Sequence, residues 1–477
     1  MSASFHIENF GCRAARADGE AIAARLQASG CCARQGFEAD VVIVNTCSVT
    51  AEADREARAF IRRTHRLNPQ ARIVATGCYA QRAPEELAQL AGVAAVVGNS
   101  HKALAPAIAL ALSSEGEAVL SPSDFVDTAK LLAGPGSAFV LADDRFAHSF
   151  LEETQVVPGA QTRPNLKIQE GCGNRCSFCV IPWTRGASKT LPCDAVMRQV
   201  EGFVAAGGNE LVLSGINLGR WGRDLDARPD APRTLAELVR HILAQTGLPR
   251  LRLSSIEPMD WDAELIACMA ECGGTRLARH THVPLQSGSD AVLRRMHRRY
   301  RPWHYAEKVA ALVRAAGPAL TLGADVMVGF PGESDAEFEE TAEFIRSLPF
   351  GYLHLFPFSP RPATRAWAMH AANPVADEVV RERMAALRAL AAEKAAAHRR
   401  QFIGQALDAI TLQTPDALRR VTKSSVLTEN FIPVEISAAL PANRLIQVQV
   451  TALRDDGACT GALALEQAHI PASRIAV

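Results

Sequence analysis

The sequence predicts an α/β protein in three parts: an amino-terminal open parallel α/β domain, a central partial (β/α)6 barrel and a small carboxyl-terminal β-barrel. Three observations predict it. Apolar runs alternate with helix-like segments in the amino-terminal part, six further runs recur between residues 166 and 356, and after Gly404 short alternating runs are separated by turn residues. The expected boundaries are 1–115, a linker over 116–163, 164–400 and 401–477.

In the first part, Ser4 to Asn9, Val41 to Val44 and Arg72 to Ala75 read as buried strands, and Gly19 to Ser29 and Ala51 to Leu67 as helices between them. Each strand runs into a cysteine: Cys12, Cys47 and Cys78, at intervals of 35 and 31 residues. A lone Cys after a strand is usually a small buried hydrophobe. Three at one offset are different, because parallel strands joined by right-handed crossovers point the same way and bring their ends to one rim. Cys31 and Cys32 have no partner at a useful spacing and read as structural. Over 116–163, Gly134-Pro135-Gly136, Pro158-Gly159 and Pro164 break the pattern into a linker with some local structure.

The central part opens on Gly171-Cys172-Gly173-Asn174-Arg175-Cys176-Ser177-Phe178-Cys179. Thiolates are soft ligands, and a C-x3-C-x2-C run folds three of them around one centre. No fourth Cys or His follows until Cys193. The readings are an iron–sulfur cluster with one open iron, a zinc site completed from elsewhere, or fortuitous buried thiols. The strand-like runs are Leu166 to Gln169, Glu210 to Ser214, Arg250 to Ser254, His280 to Pro284, Leu320 to Val328 and Tyr352 to Phe356, with helices such as Asp194 to Ala206 and Tyr305 to Ala316 between them. Barrel sites lie at the carboxyl ends of the strands. Small and polar residues gather at those ends here, in Ser214-Gly215-Ile216-Asn217, Ser254-Ser255, Pro284-Leu285-Gln286 and Gly323-Ala324-Asp325. The run Arg294 to Arg301 is the most basic in the chain, either a solvated helix face or a phosphate-positioning patch. Cys193, Cys268 and Cys272 read as packing residues. Val375 to His398 reads as one long helix, followed by strands over Ala406 to Leu412, Val421 to Leu427, Ile432 to Ile436 and Leu445 to Leu453.

Composition excludes several classes of protein. Lys plus Arg and Asp plus Glu each number 51, so no global basic field advertises nucleic acid, and any RNA contact must come from local patches. The first residues lack the character of a signal peptide and no apolar run spans a bilayer, so a cytoplasmic location away from the membrane is expected. In that setting twelve cysteines point to metal or catalysis rather than disulfides.

The triplet with Phe178 before its last Cys resembles the radical S-adenosylmethionine (SAM) enzymes. The flanks Lys167-Ile168-Gln169-Glu170 and Val180-Ile181-Pro182-Trp183-Thr184-Arg185-Gly186 resemble the methylthiotransferases, particularly the branch acting on threonylcarbamoyladenosine in tRNA. Val44-Asn45-Thr46-Cys47-Ser48-Val49-Thr50 and Thr76-Gly77-Cys78-Tyr79-Ala80-Gln81 are similar to that family's amino-terminal domain. One departure follows Cys12, where Arg13, Ala14 and Ala15 stand in place of the family's basic residue and Asn.

The resemblance implies two 4Fe-4S clusters, one on Cys172, Cys176 and Cys179 that cleaves SAM to a radical, and an auxiliary one on Cys12, Cys47 and Cys78. It implies SAM contacts from Phe178, Gly215, Asn217, Ser255, Gln286 and Asp325, with Arg299 reaching the SAM or substrate region. It also implies a carboxyl-terminal TRAM-like RNA-binding domain, in which Arg419, Arg420 and Lys423 face phosphates or solvent. The partners it implies are a tRNA substrate, an electron donor such as a flavodoxin or ferredoxin, and a sulfur source. The expected reaction adds a methylthio group to C2 of threonylcarbamoyladenosine. The alternatives are isopentenyladenosine of tRNA, an aspartate of a ribosomal protein, or a non-catalytic two-cluster electron carrier or iron sensor.

Overall fold

The computed structural model of the chain describes residues 3–113, 138–146, 151, 162–226 and 231–466. It divides into two compact units: Met1–Gln155 with Gln169–Lys189 and Ser359–Trp367, and Val156–Ile168 with Thr190–Phe358 and Ala368–Val477.

The first unit is built on a six-stranded parallel sheet. Its strands are β1 (Ser4–Asn9), β2 (Cys32–Ala33), β3 (Val41–Thr46), β4 (Arg72–Gly77), β5 (Val93–Gly98) and β6 (Phe139–Leu141), in the order β2-β1-β3-β4-β5-β6. Helices cover both faces, which is why its central strands read as unbroken apolar runs. Alternate residues of β3 serve the two cores: Val41 and Ile43 pack with Ile22, Leu26 and Ile108, and Val42 and Val44 pack with Ala57, Ile61 and Tyr79.

Three features of this unit differ from the sequence reading. The first helix is Arg13–Ala28, starting directly after Cys12 and six residues before the expected Gly19. Gly19 lies inside the helix, where any Cβ would overlap the Asn9 side chain. Close packing requires that glycine; it does not mark the helix start. The sequence does not announce strands β2, β5 and β6, and β6 falls within the stretch read as a linker; Gly134 to Gly136 and Pro158-Gly159 lie outside the described residues.

In the second unit the strands are β7 (Asn165–Glu170, whose last two residues belong to the first unit), β8 (Lys189–Thr190), β9 (Glu210–Gly215), β10 (Arg250–Leu253), β11 (His280–His282), β12 (Thr321–Val328) and β13 (Phe350–Pro357). They form sheets ordered β10-β9-β7-β8 and β11-β12-β13. Pairing is parallel for β9 with β10, β11 with β12 and β12 with β13. Single parallel bridges, Leu251 to Leu277 and Ser255 to His282, join the two sheets. The six expected strands therefore stand in order around a partial barrel, each within two residues of its expected ends.

The long helix is Asp377–Arg400. Beyond it β14 (Ala406–Thr411), β15 (Ser424–Thr428), β16 (Pro433–Ile436), β17 (Leu445–Leu453) and β18 (Cys459–Glu466) close a barrel in the order β14-β15-β16-β18-β17. Four of the five match strands that the sequence predicts. β18 was missed because its Gly461 and alanines carry too little apolar bulk to register as a strand. The barrel is fixed to the rest of its unit by Arg279 on Glu429, with Nε 2.8 Å from Oε1, by Asn209 Nδ2 donating to the Asn443 carbonyl at 2.8 Å, and by Phe431 stacked 4.1 Å from His280. Beneath this contact Glu210 is fully buried among Arg252, Arg250 and Arg163. Burial alone would raise its pKa, but the three guanidiniums hold it down to about 2.

Candidate active site

In the first unit the three strand-end cysteines sit just past β1, β3 and β4. Gly11 has φ +103° and any Cβ on it would overlap Cys47; Gly77 has φ +101° and turns β4 into the short helix Cys78–Arg82. Both positions need glycine because the backbone is left-handed and the next strand end lies against it. Thr46 Oγ1 donates to the Thr76 carbonyl at 2.6 Å and accepts from Ala80 N–H at 3.3 Å. Asn45 Nδ2 donates to Asn9 Oδ1 at 2.9 Å. The polar residues before Cys47 are thus buried ties between strand ends.

The turn after Cys47 is held from two sides. Arg82 Nε donates to Ser48 Oγ at 2.7 Å and Arg361 Nε to the Ser48 carbonyl at 3.0 Å, and both guanidiniums reach Asp54 Oδ2 at 2.8 Å. Burial, then the charges of Cys78 and Cys12, push the Cys47 thiol up to about 12. A buried thiol beside two others is a soft donor set, and metal binding displaces such a proton. That chemistry fits an iron–sulfur cluster.

Behind Cys78 lies a buried charged network. Arg185 donates through Nε to Cys78 Sγ at 3.3 Å, through Nη1 to Glu170 Oε1 at 2.6 Å, and through both Nη atoms to Asp18 Oδ2 at 3.2 Å. Lys102 Nζ donates to Asp18 Oδ2 at 2.8 Å and to Asn45 Oδ1 at 3.3 Å. Asn99 Nδ2 reaches Cys78 Sγ at 3.4 Å and the Thr184 carbonyl at 2.7 Å. Asp18 and Lys102 are at most 1% exposed. Burial would lower the Arg185 pKa, but Cys78, Glu170, Asp18 and Cys12 raise it well above the usual value.

The second triplet is carried on one loop of the same unit. Cys172 N–H donates to the Gly186 carbonyl at 3.1 Å, closing the loop, and Cys179 N–H donates to the Cys176 carbonyl at 3.2 Å. Cys172 Sγ accepts from Asn174 N–H at 3.4 Å. All three thiols are half-buried, as is Phe178, and no disulfide joins any of the twelve cysteines. Three sulfurs in eight residues, partly open to solvent, also suit a cluster with a free coordination position.

Of the other expected contacts, the second unit brings Ser255, Gln286 and Asp325 together. Ser255 bridges His282, and Leu285 and Gln286 N–H both donate to the Asp325 carbonyl, at 3.1 and 2.7 Å. Gln286 has φ +65° and its buried Oε1 has no hydrogen-bond partner among the described residues. A left-handed non-glycine residue and a buried acceptor without a partner each carry a local cost that neighbouring structure must hold. Asp325 lies between two imidazoles, with His282 Nε2 3.1 Å from Oδ2 and His354 Nδ1 3.3 Å from Oδ1; His282 Nδ1 meets Tyr352 OH at 3.0 Å. Burial opposes ionisation of Asp325, and hydrogen bonds from His282 and His354 overcome it, holding its pKa well below the usual carboxylate range.

Gly215 closes β9, and Asn217 is buried between Asp260 and Arg220, 3.2 Å from each with its amide oriented to donate to Asp260. Arg299 is exposed; its neighbour Arg298 is the buried one, paired with Glu257. The rest of the basic run is also paired, Arg295 with Glu337 at 2.7 Å and both Arg294 and Arg301 with Asp290, at 2.8 and 3.2 Å. In the small barrel Arg419 pairs with Asp416, and Lys423 lies 3.7 Å from Glu435. Sequence reasoning missed Asp18, Lys102, Asn99, Asp54 and Arg361, and gave Arg185 no role. The polar string Asn99-Ser100-His101-Lys102 at the end of an apolar run was the available signal.

Comparison with known proteins agrees with this architecture. Residues 4–98 match the uncharacterized protein family UPF0004, and residues 166–345 match the radical SAM superfamily. The chain is 32% identical to the threonylcarbamoyladenosine tRNA methylthiotransferase MtaB of Aquifex aeolicus, over 93% of this chain and 99% of that one. It is 35% identical to the protein of the same name from Bacillus subtilis, over 90% and 89%. It is also 34% identical to the tRNA-2-methylthio-N(6)-dimethylallyladenosine synthase of Geobacter metallireducens, over 76% and 77%. In fold it is similar to the radical SAM methyltransferase TsrM of Kitasatospora setae, with a TM-score of 0.56 at 16% identity over 77% of each chain. Among the described residues no helix is long and apolar enough to cross a membrane. Identity at this level over nearly the whole length shows the family: the chain belongs to the radical SAM tRNA methylthiotransferases, enzymes that take SAM and two 4Fe-4S clusters as cofactors.

Proposed function

We propose that the protein adds a methylthio group to C2 of N6-threonylcarbamoyladenosine next to the anticodon of tRNA. Relatives of nearly equal identity carry names for two different N6 substituents, so identity alone does not choose between them. The observation that carries the choice is the polar cluster His282, Asp325, His354 and Tyr352 on three adjacent strands of the second unit. A dimethylallyl group needs an apolar wall, worth about 0.8 kcal/mol per buried methylene, and it would strip water from polar groups at about 1–3 kcal/mol each. A threonylcarbamoyl group, with its urea, hydroxyl and carboxylate, offers those side chains hydrogen-bond partners.

On this reading Cys172, Cys176 and Cys179 hold the SAM-binding cluster and Cys12, Cys47 and Cys78 hold the auxiliary one. Bound there, the clusters and SAM would supply the radical chemistry, the methyl group from SAM and the sulfur from the auxiliary cluster. Gln286 and Ser255 present acceptors and donors to SAM at the strand ends, with Phe178, Gly215 and Asn217 as further contacts, and His354 orients the N6 substituent through its imidazole. Arg299, exposed, reaches the SAM or substrate region. The first unit, which carries both triplets, acts as the cluster-bearing part of the chain, and 401–477 as the RNA-binding domain. A low-potential electron donor and a sulfur source complete the cycle.

Mass spectrometry of tRNA nucleosides from cells with and without the gene tests the substrate. Loss of the methylthio form with accumulation of threonylcarbamoyladenosine is expected; loss of methylthio-isopentenyladenosine instead would overturn the substrate assignment. In the purified enzyme, His354→Phe should lower kcat/KM for threonylcarbamoyl tRNA about tenfold or more, the range for a lost polar contact, and leave both clusters in place. Unchanged kcat/KM would remove His354 from recognition.

A further inference from the structure

We propose that Arg185 is a positioning residue that raises the reduction potential of the cluster on Cys12, Cys47 and Cys78 by donating a hydrogen bond to Cys78. This rests on the ligation reading above. The three sulfurs are not equivalent: Cys78 Sγ accepts from Arg185 Nε at 3.3 Å and from Asn99 Nδ2 at 3.4 Å, whereas the donor seen on Cys47 Sγ is the Val49 backbone N–H at 3.4 Å.

A guanidinium serving only as a structural counter-ion would be satisfied by its carboxylates. Here both Nη atoms are committed to Asp18, with Nη1 also on Glu170, and that pairing fixes the plane of the group so that Nε points at the sulfur. Arg185 is 2% exposed, so its charge acts through a weakly screening medium. Uptake of one electron from a low-potential donor makes and breaks no bond and adds one negative charge to the cluster. An N–H donor on a ligand sulfur and a fixed positive charge beside it both favour that reduced state. The same residue follows the second triplet by six positions, next to the Gly186 carbonyl that closes its loop on Cys172 N–H. The geometry therefore places the tuning group of one cluster on the loop that carries the other.

The test is an anaerobic redox titration of the full-length holoenzyme followed by electron paramagnetic resonance, with iron content measured beside it. Arg185→Gln should move the midpoint of one cluster signal to more negative potential and leave the other where it was. Asn99→Ala removes the second donor without stranding a buried charge, and should move the same signal in the same direction by less. If Arg185→Gln fails to fold or to hold iron, Arg185→Lys, which keeps the charge but loses the Nε donor on Cys78, decides, and an unmoved midpoint there overturns the proposal. Unmoved midpoints in two fully loaded variants overturn it equally. Wild-type enzyme that takes up only about four irons would instead overturn the two-triplet ligation reading, and this proposal with it.

Discussion

The two thiol triplets bring three sulfurs together by opposite means. Cys172, Cys176 and Cys179 lie on one loop closed by the Cys172 to Gly186 hydrogen bond. Cys12, Cys47 and Cys78 come from three strand ends and meet because β1, β3 and β4 are parallel and adjacent. The loop depends on local chain geometry, and its sulfurs stay half open. The gathered triplet depends on two left-handed glycines, on Asn45 and Thr46 tying the strand ends, and on a buried charged network behind Cys78. A site assembled from distant segments is sensitive to many residues that never touch its ligand; a contiguous one is sensitive to few.

The largest expected effects separate the triplets by function. Cys176→Ala should abolish SAM cleavage and remove about four irons while the other cluster remains. Cys47→Ala should remove a similar amount of iron and abolish methylthio transfer, yet leave SAM cleavage measurable as 5′-deoxyadenosine. Loss of SAM cleavage in Cys47→Ala would erase the functional distinction. Next in size, Asp18→Asn leaves Lys102 and Arg185 short of a buried counter-charge, and breaking such a pair costs about 3–5 kcal/mol. Denaturant unfolding should show that loss, with iron lost first from the gathered triplet.

The smallest effects compare glycines within the two sites. Gly11→Ala faces a left-handed backbone and an overlap with Cys47, and should cost about 1–3 kcal/mol together with the auxiliary iron. Gly173→Ala, between Cys172 and Cys176, meets no atom within 4 Å and should stay within about 0.5 kcal/mol of wild type with full iron. Equal sensitivity of the two glycines would refute the contrast.

Legibility in the sequence followed the same division. Strands buried on both faces, such as Val41–Thr46, announced themselves as apolar runs, and the Cys172 triplet as a spacing. The start of the first helix did not, because Gly19 is explained by a contact with Asn9 from another element. Strand β18 did not either, since its small side chains carry no alternation strong enough to read. Charged residues were the hardest to place. Lys102 and Asp18, 84 positions apart, look like ordinary surface charges until the fold buries them together.

The sequence by itself determined which residues are thiols at ligand spacing, the order of alternating strands and helices, and the absence of a global basic field, because these are properties of composition and local period. Tertiary structure alone decided that Arg185 faces Cys78, that Asp325 lies between His282 and His354, and that Arg298 rather than Arg299 is buried against Glu257. Those outcomes depend on which strand lies beside which and how far each side chain reaches, and no local pattern in the chain encodes either.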